Sequence, residues 1–88
     1  MKRVHIKIKG TVQGIFFRKF IKDNADKLNL KGWVKNIKNY VEAVFEGSTS
    51  NVHKMLILCK TGPEGANITS LNIKEESIKD EKSFQILR

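Results

Sequence analysis

Between Lys9 and Phe20 the chain reads KGTVQGIFFRKF, and this stretch carries the residue types best suited to chemistry. Two glycines and a glutamine follow an apolar strand pattern, and then aromatics and Arg18 open a helical one. A helix start leaves backbone N–H groups without intrahelical partners, and the macrodipole there favours negative charge. Gly10 and Gly14 permit the positive φ and the close backbone approach that an anion cradle needs, while Arg18 adds a planar fork matched to phosphate oxygens. The expected chemistry is capture of an anion. An arginine in the first turn of an amphipathic helix is commonly a surface residue. Here, however, Val12, Gln13, Gly14 and Ile15 make the preceding loop too apolar and too glycine-marked for a plain connection.

Asn36 is the second candidate. It stands in a strand pattern that suits asparagine poorly, on the face of Val34 if the strand is regular. With its strand expected beside the first one, Asn36 approaches the mouth of the loop; the alternative is an asparagine that merely begins the hairpin turn. Other chemistries find little support. His5, His53 and Cys59 have no ligand-like spacing, so no metal site is expected. His53 falls on a helix surface, and Cys59 falls in the apolar stripe of the same helix, where packing is its expected role. Glu42 and Glu46 share a strand face, as acids on sheets commonly do, and are given no catalytic role.

These residues need elements to hold them. Val4, Ile6 and Ile8 alternate with His5, Lys7 and Lys9, the period of a strand with one buried face. Phe17, Phe20, Ile21, Ala25 and Leu28 fall at helical spacing, with Lys19, Lys22, Asp23, Asp26 and Lys27 opposite, and Asn29 is the expected left-handed stop. Trp33–Ile37 and Tyr40–Phe45 read as a hairpin joined by Lys38 and Asn39, with Val41, Ala43 and Phe45 on one face. Ser48 or Ser50 caps a second helix with Val52, Met55, Leu56 and Cys59 in its stripe, ended by Gly62 and Pro63. Ala66, Ile68, Leu71 and Ile73 form a strand whose change of parity implies a bulge between Ile68 and Leu71. The charged run from Glu75 to Lys82 reads as a loop, and Phe84 and Ile86 as a short closing strand. Two helices can bury their stripes together against one sheet face. The expected class is therefore α+β: a ferredoxin-like α/β sandwich, βαββαβ with a short fifth strand, an antiparallel sheet and two helices on one face.

Eighty-eight residues suffice for one hydrophobic core, so a single domain over 1–88 is expected. Seventeen Lys and Arg against nine Asp and Glu give a charge of +8, which attracts anions of every kind without choosing among them. One cysteine makes no internal bridge, and no apolar run approaches the roughly 20 residues that span a bilayer. The N-terminus alternates where a leader would be continuously apolar. A cytoplasmic monomer without membrane attachment is the expectation.

Four blocks, GTVQGIFFR at 10–18, GWVKN at 32–36, VEAVFEG at 41–47 and GPEGANI at 62–68, together resemble the acylphosphatase family. The first is similar to that family's phosphate-loop signature G-x-V-Q-G-V-x-F-R, with Ile15 in place of Val. The resemblance implies a small hydrolase, free of metal and cofactor, that cleaves acyl phosphates to carboxylate and orthophosphate. By position, Arg18 would bind the phosphoryl oxygens. Backbone amides of Gln13, Gly14, Ile15, Phe16, Phe17 and Arg18 would form the cradle, and Asn36 would hold the attacking water. It further implies a small-molecule acyl phosphate as partner, with inorganic phosphate as product and inhibitor.

The chain departs from the family pattern twice. Thr11 stands where Arg or Lys is common, and the hairpin join lacks the usual Asp-Gly and is one residue shorter. Asn39 is expected to take the left-handed conformation that glycine would otherwise supply. Two alternatives compete with the hydrolase. An RNA-binding module of the same fold would need an aromatic-rich strand, of which Lys31–Lys35 matches only the opening, so no specific nucleic acid is expected. A phosphate-binding regulatory module without turnover is the other.

Overall fold

The computed structural model describes residues 1–12 and 15–87, with the side chain of Ile15 set aside. In chain order the elements are β1 (Lys2–Thr11), α1 (Ile15–Lys27), β2 (Lys31–Ile37), β3 (Tyr40–Gly47), α2 (Thr49–Thr61), β4 (Asn67–Glu76) and β5 (Phe84–Ile86). The strands form one sheet in the order β4-β1-β3-β2-β5. β1 to β4 pair antiparallel as expected, while β5 joins β2 in parallel and makes the sheet mixed.

Alternation decides the layers. Val4, Ile6 and Ile8 of β1, Val34 of β2 and Val41, Ala43 and Phe45 of β3 share one buried face. Against it pack Phe17, Ile21 and Ala25 from α1 and Val52, Met55 and Cys59 from α2. α1 lies over β2 and β5, and α2 over β1, β3 and β4. On the solvent side of α1, Lys19 pairs with Asp23 at 2.9 Å and Lys22 with Asp26 at 2.8 Å, the i,i+4 spacing that supports an exposed helical face. Ser48, not Ser50, caps α2 by accepting from the Asn51 N–H at 3.2 Å. The Asn51 side chain donates to the Leu28 carbonyl at 3.0 Å and so ties α2 to the end of α1. No helix among the described residues is long and apolar enough to cross a membrane.

Several expectations change in detail. β2 does not adjoin β1, because β3 lies between them: Ile8 pairs with Val41, and Val41 with Asn36. The left-handed residue of the hairpin is Lys38, with φ 22, and Asn39 keeps a negative φ. In a two-residue join the sheet twist selects the sign of each φ, and a positive value at the first position alone is the II′ pattern. β4 runs on through Glu75 to Glu76, held by pairing to Arg3 and Val4, so the loop begins later than the charge run implied. The bulge falls where parity placed it: Lys9 pairs with Ser70 and Gly10 with Ile68, leaving Thr69 as the extra residue. Asn29 ends the first helical run with φ 54.

The sheet's other face is polar and is closed at one end by an ion network. Arg3 donates from Nη1 to Glu46 at 3.2 Å and to Glu81 at 2.8 Å, and from Nε to Glu76 at 3.0 Å. Glu46 also accepts the backbone N–H groups of Lys79 and Glu81, each at 2.8 Å. These bonds fasten the β4–β5 connection, which has to carry the chain from one edge strand to the other. Burial pushes the Glu46 carboxyl up, but the two N–H groups and Arg3 outweigh it and hold it below its ordinary value. The bond from Arg3 lowers Glu76 likewise.

Candidate active site at the carboxyl end of β1 and β2

Both β1 and β2 run antiparallel to β3, so they are parallel to each other and finish at the same end of the sheet. The chain enters α1 at Ile15, just beyond the end of β1, which puts the first turn of α1 at that end too. β4 begins there as well, with Asn67 opposite Thr11, so the turn at 62–66 after α2 arrives beside the helix start.

Two apolar anchors fix this helix start. Val12, 1% exposed, and Phe17, 3% exposed, both reach the core, one on each side of the entry to α1. Gly10 sets the path just before them. Its φ is +133, and a Cβ built there would stand 1.9 Å from the Asn67 carbonyl oxygen, so any larger residue would drive β1 and β4 apart at the bulge. Gln13 and Gly14, expected in the cradle, lie outside the described residues.

The first turn of α1 contains no acidic residue and does contain Arg18. A cation at the positive end of a helix is unfavourable by itself, so this placement suits an anion better than it suits the helix. Arg18 is half-buried, and its Nε is buried without a hydrogen-bond partner among the described residues. The same holds for the Oδ1 of Asn36. Asn36 is half-buried on the helix-covered face, in one row with Val41 and Ile8, and two strand spacings, roughly 10 Å, separate it from Ile8. α1 starts at this end of the sheet and lies over β2, the strand that carries Asn36.

Arg18 Nε–H is a donor and Asn36 Oδ1 an acceptor, both buried without partners among the described residues, and such groups can hold an oxyanion and a hydrogen-bond donor respectively. The other groups weighed in the sequence lie elsewhere. His5 is on the opposite face, its Nε2 2.6 Å from Glu42 and its Nδ1 3.2 Å from Glu76. His53 is exposed on α2, and Cys59 is fully buried, with burial pushing its thiol up. Among the described residues no group of three His, Cys, Asp or Glu side chains is arranged to hold a metal. A groove of about 290 Å³ bordered by His5, Lys7, Asn72 and Lys74 is also on the far face and does not reach Arg18 or Asn36. Sequence reasoning gave no role to Phe16 as a side chain or to the 63–66 turn, yet they flank a cleft of about 190 Å³ at the helix start. An aromatic at a helix position next to one already committed to the core was the available signal.

The class defined by this fold is a ferredoxin-like α/β sandwich, with Arg18 in the first turn of its first helix and Asn36 near the end of β2. Comparison with known proteins narrows it. The acylphosphatase family model matches residues 4–86. An acylphosphatase of Syntrophus aciditrophicus is 43% identical, over 99% of this chain and 93% of that protein. One from Pyrobaculum calidifontis is 44% identical, over 97% of this chain and 80% of that protein. The crystal structure of the Bacillus subtilis acylphosphatase superposes with a TM-score of 0.95 at 32% identity, covering 100% of both chains. This chain belongs to the acylphosphatase family.

Proposed function

We infer that this protein hydrolyses the carboxyl–phosphate bond of acyl phosphates, releasing a carboxylate and orthophosphate. The observation that carries the reading is that two polar atoms, Arg18 Nε and Asn36 Oδ1, are buried without partners among the described residues, on elements that meet the end of the sheet where α1 begins. In the proposed mechanism Arg18 and the backbone amides of the helix start, from Gln13 to Arg18, grip the phosphoryl oxygens. Asn36 Oδ1 accepts a hydrogen bond from a water and aims its oxygen at phosphorus. The water oxygen bonds to phosphorus as the bond from phosphorus to the carboxyl oxygen breaks, and the water's proton passes to a phosphoryl oxygen. The leaving carboxylate has a conjugate acid with a pKa near those of Asp and Glu, about 4, so it departs without a general acid. Positioning and charge stabilisation then suffice, and no strong base is required.

The same reading makes inorganic phosphate an inhibitor, since it fits the cradle that holds the phosphoryl group. We further propose a cytoplasmic monomer in which 1–88 form one acylphosphatase-like domain, with no specific nucleic-acid partner. The Trp33 ring is engaged at 5.8 Å by His5 and at 5.2 Å by the Lys35 ammonium, which supports the view that the polar face is not a base-stacking platform. The test is release of phosphate from acetyl phosphate by the purified chain in the presence of a chelator, with inorganic phosphate added as inhibitor. Turnover inhibited by phosphate is the expected result. Phosphate binding without turnover would replace the hydrolase with a regulatory phosphate-binding module.

A further inference from the structure

The proposed cradle grips the phosphoryl end of a substrate and leaves the acyl end unassigned. In an acyl phosphate one oxygen separates phosphorus from the carbonyl carbon, so the acyl substituent has to lie against the surface beside the helix start. The cleft of about 190 Å³ opens there, with Thr11, Phe16 and Phe17 on one side and the 63–66 turn on the other. Phe17 and the half-buried Pro63 and Ala66 give it an apolar floor. Phe16 stands at its rim with 83% of its surface exposed, the most exposed large hydrophobic residue among those described. Successive helix positions are about 100° apart, so Phe16 projects to one side of the buried Phe17 and Arg18 to the other. The aromatic ring and the guanidinium therefore bracket the helix start.

The turn has a fixed shape. The Gly62 N–H donates to the Leu58 carbonyl at 2.8 Å, and the Ala66 N–H to the Pro63 carbonyl at 3.1 Å. Gly65, with φ 89 and nothing within 4 Å of a Cβ position, leaves that side of the cleft open. Glu64 is exposed at the rim and brings a negative charge to a surface otherwise rich in lysine.

We propose that the cleft between Phe16 and the 63–66 turn is the acyl-group subsite, and that it selects uncharged aromatic or bulky apolar acyl groups over those bearing a carboxylate. The proposal rests on the hydrolase reading above. An apolar floor and an exposed ring reward removal of apolar acyl surface from water. The Glu64 carboxylate repels a second negative charge at short range, an effect that salt weakens.

The experiment compares kcat/KM for acetyl, benzoyl and succinyl phosphate in the wild type, Phe16→Ser and Glu64→Gln. Ratios between substrates cancel any common effect on the phosphate cradle. Phe16→Ser is expected to lower the benzoyl-to-acetyl ratio by roughly 10-fold, the scale set by modest apolar contacts in specificity pockets. Glu64→Gln is expected to raise the succinyl-to-acetyl ratio several-fold at low salt, with the gain shrinking at high salt. Turnover of all three substrates with both ratios unmoved overturns the subsite and leaves the hydrolase intact. Absence of turnover on every acyl phosphate overturns the hydrolase and the subsite with it. A change in sedimentation of Phe16→Ser with unchanged ratios assigns the ring to contact between copies of the chain, and likewise overturns the proposal.

Discussion

Arg3 and Glu46 meet at 3.2 Å on the face of the sheet opposite Arg18 and Asn36, with side chains 4% and 2% exposed. Removing one partner of a buried pair is costly because the other charge remains buried. Glu46→Ala would also orphan the N–H groups of Lys79 and Glu81 and free the connection that delivers β5. We expect a loss of about 3 kcal/mol in urea unfolding. The reacting groups are on the other face, so variant protein that remains folded should retain its KM for acyl phosphate.

The same carboxylates set a dependence on pH. Glu46 and Glu76 are held below their ordinary values in the folded protein. A carboxyl lowered by folding stabilises the fold fully above its unfolded pKa, about 4.3, and loses that contribution as pH falls through its folded value. The stability gap between wild type and Glu46→Gln should therefore be widest near neutrality and should shrink as pH falls below the unfolded carboxyl range, about 4. Urea midpoints at pH 7 and pH 3 measure it. A gap that widens in acid would contradict the assigned direction.

The hairpin offers a local test. Lys38 occupies the first join position with φ 22, where a II′ turn normally has glycine. Lys38→Gly should be more stable than wild type by about 1 kcal/mol, and Asn39→Gly should show no such gain. A gain in Asn39→Gly with none in Lys38→Gly would return the strained position to Asn39.

This turn also marks where the sequence stops being legible. Element order, the bulge at Thr69 and the left-handed Asn29 follow from local period and residue type, which is why parity and composition sufficed for them. The sign of φ at Lys38 depends on how the twist of two paired strands is closed, and a residue list does not contain that. Arg18 and Asn36 could be picked out as misfits, a cation at a helix start and an asparagine in a strand. Their relation could not, because it depends on β3 standing between β1 and β2 and on α1 crossing over β2. Glu46 shows the same gap. Alternation placed it correctly on the face away from the helices, yet the chain that covers it arrives from the 77–83 connection, far away in sequence.

His5 separates stability from chemistry. It contacts Glu42 and Glu76 across three strands, on the face away from Asn36. His5→Gln should cost about 1 kcal/mol of stability and leave kcat close to wild type, and His53→Gln should alter neither. Turnover should also persist in EDTA. Loss of activity in folded His5→Gln, or on chelation, would refute a mechanism without histidine or metal.

Arg18 and Asn36 are expected to fail differently when changed, and kinetics can tell them apart. Arg18 would touch the phosphoryl group throughout the reaction. Arg18→Ala should therefore weaken inhibition by inorganic phosphate and also lower kcat, since charge on the transferring group is redistributed in the transition state. Arg18→Lys should stay impaired, because an ammonium supplies the charge without the two-pronged geometry. Asn36 would touch water, not phosphate. Asn36→Ala should lower kcat by roughly 10²- to 10³-fold, the scale of losing one positioned hydrogen-bonding group, and leave phosphate inhibition nearly unchanged. Circular dichroism establishes first that each variant is folded. A folded Asn36→Ala with near wild-type kcat would remove the water-positioning role, and the buried Oδ1 would then need a partner other than the attacking water.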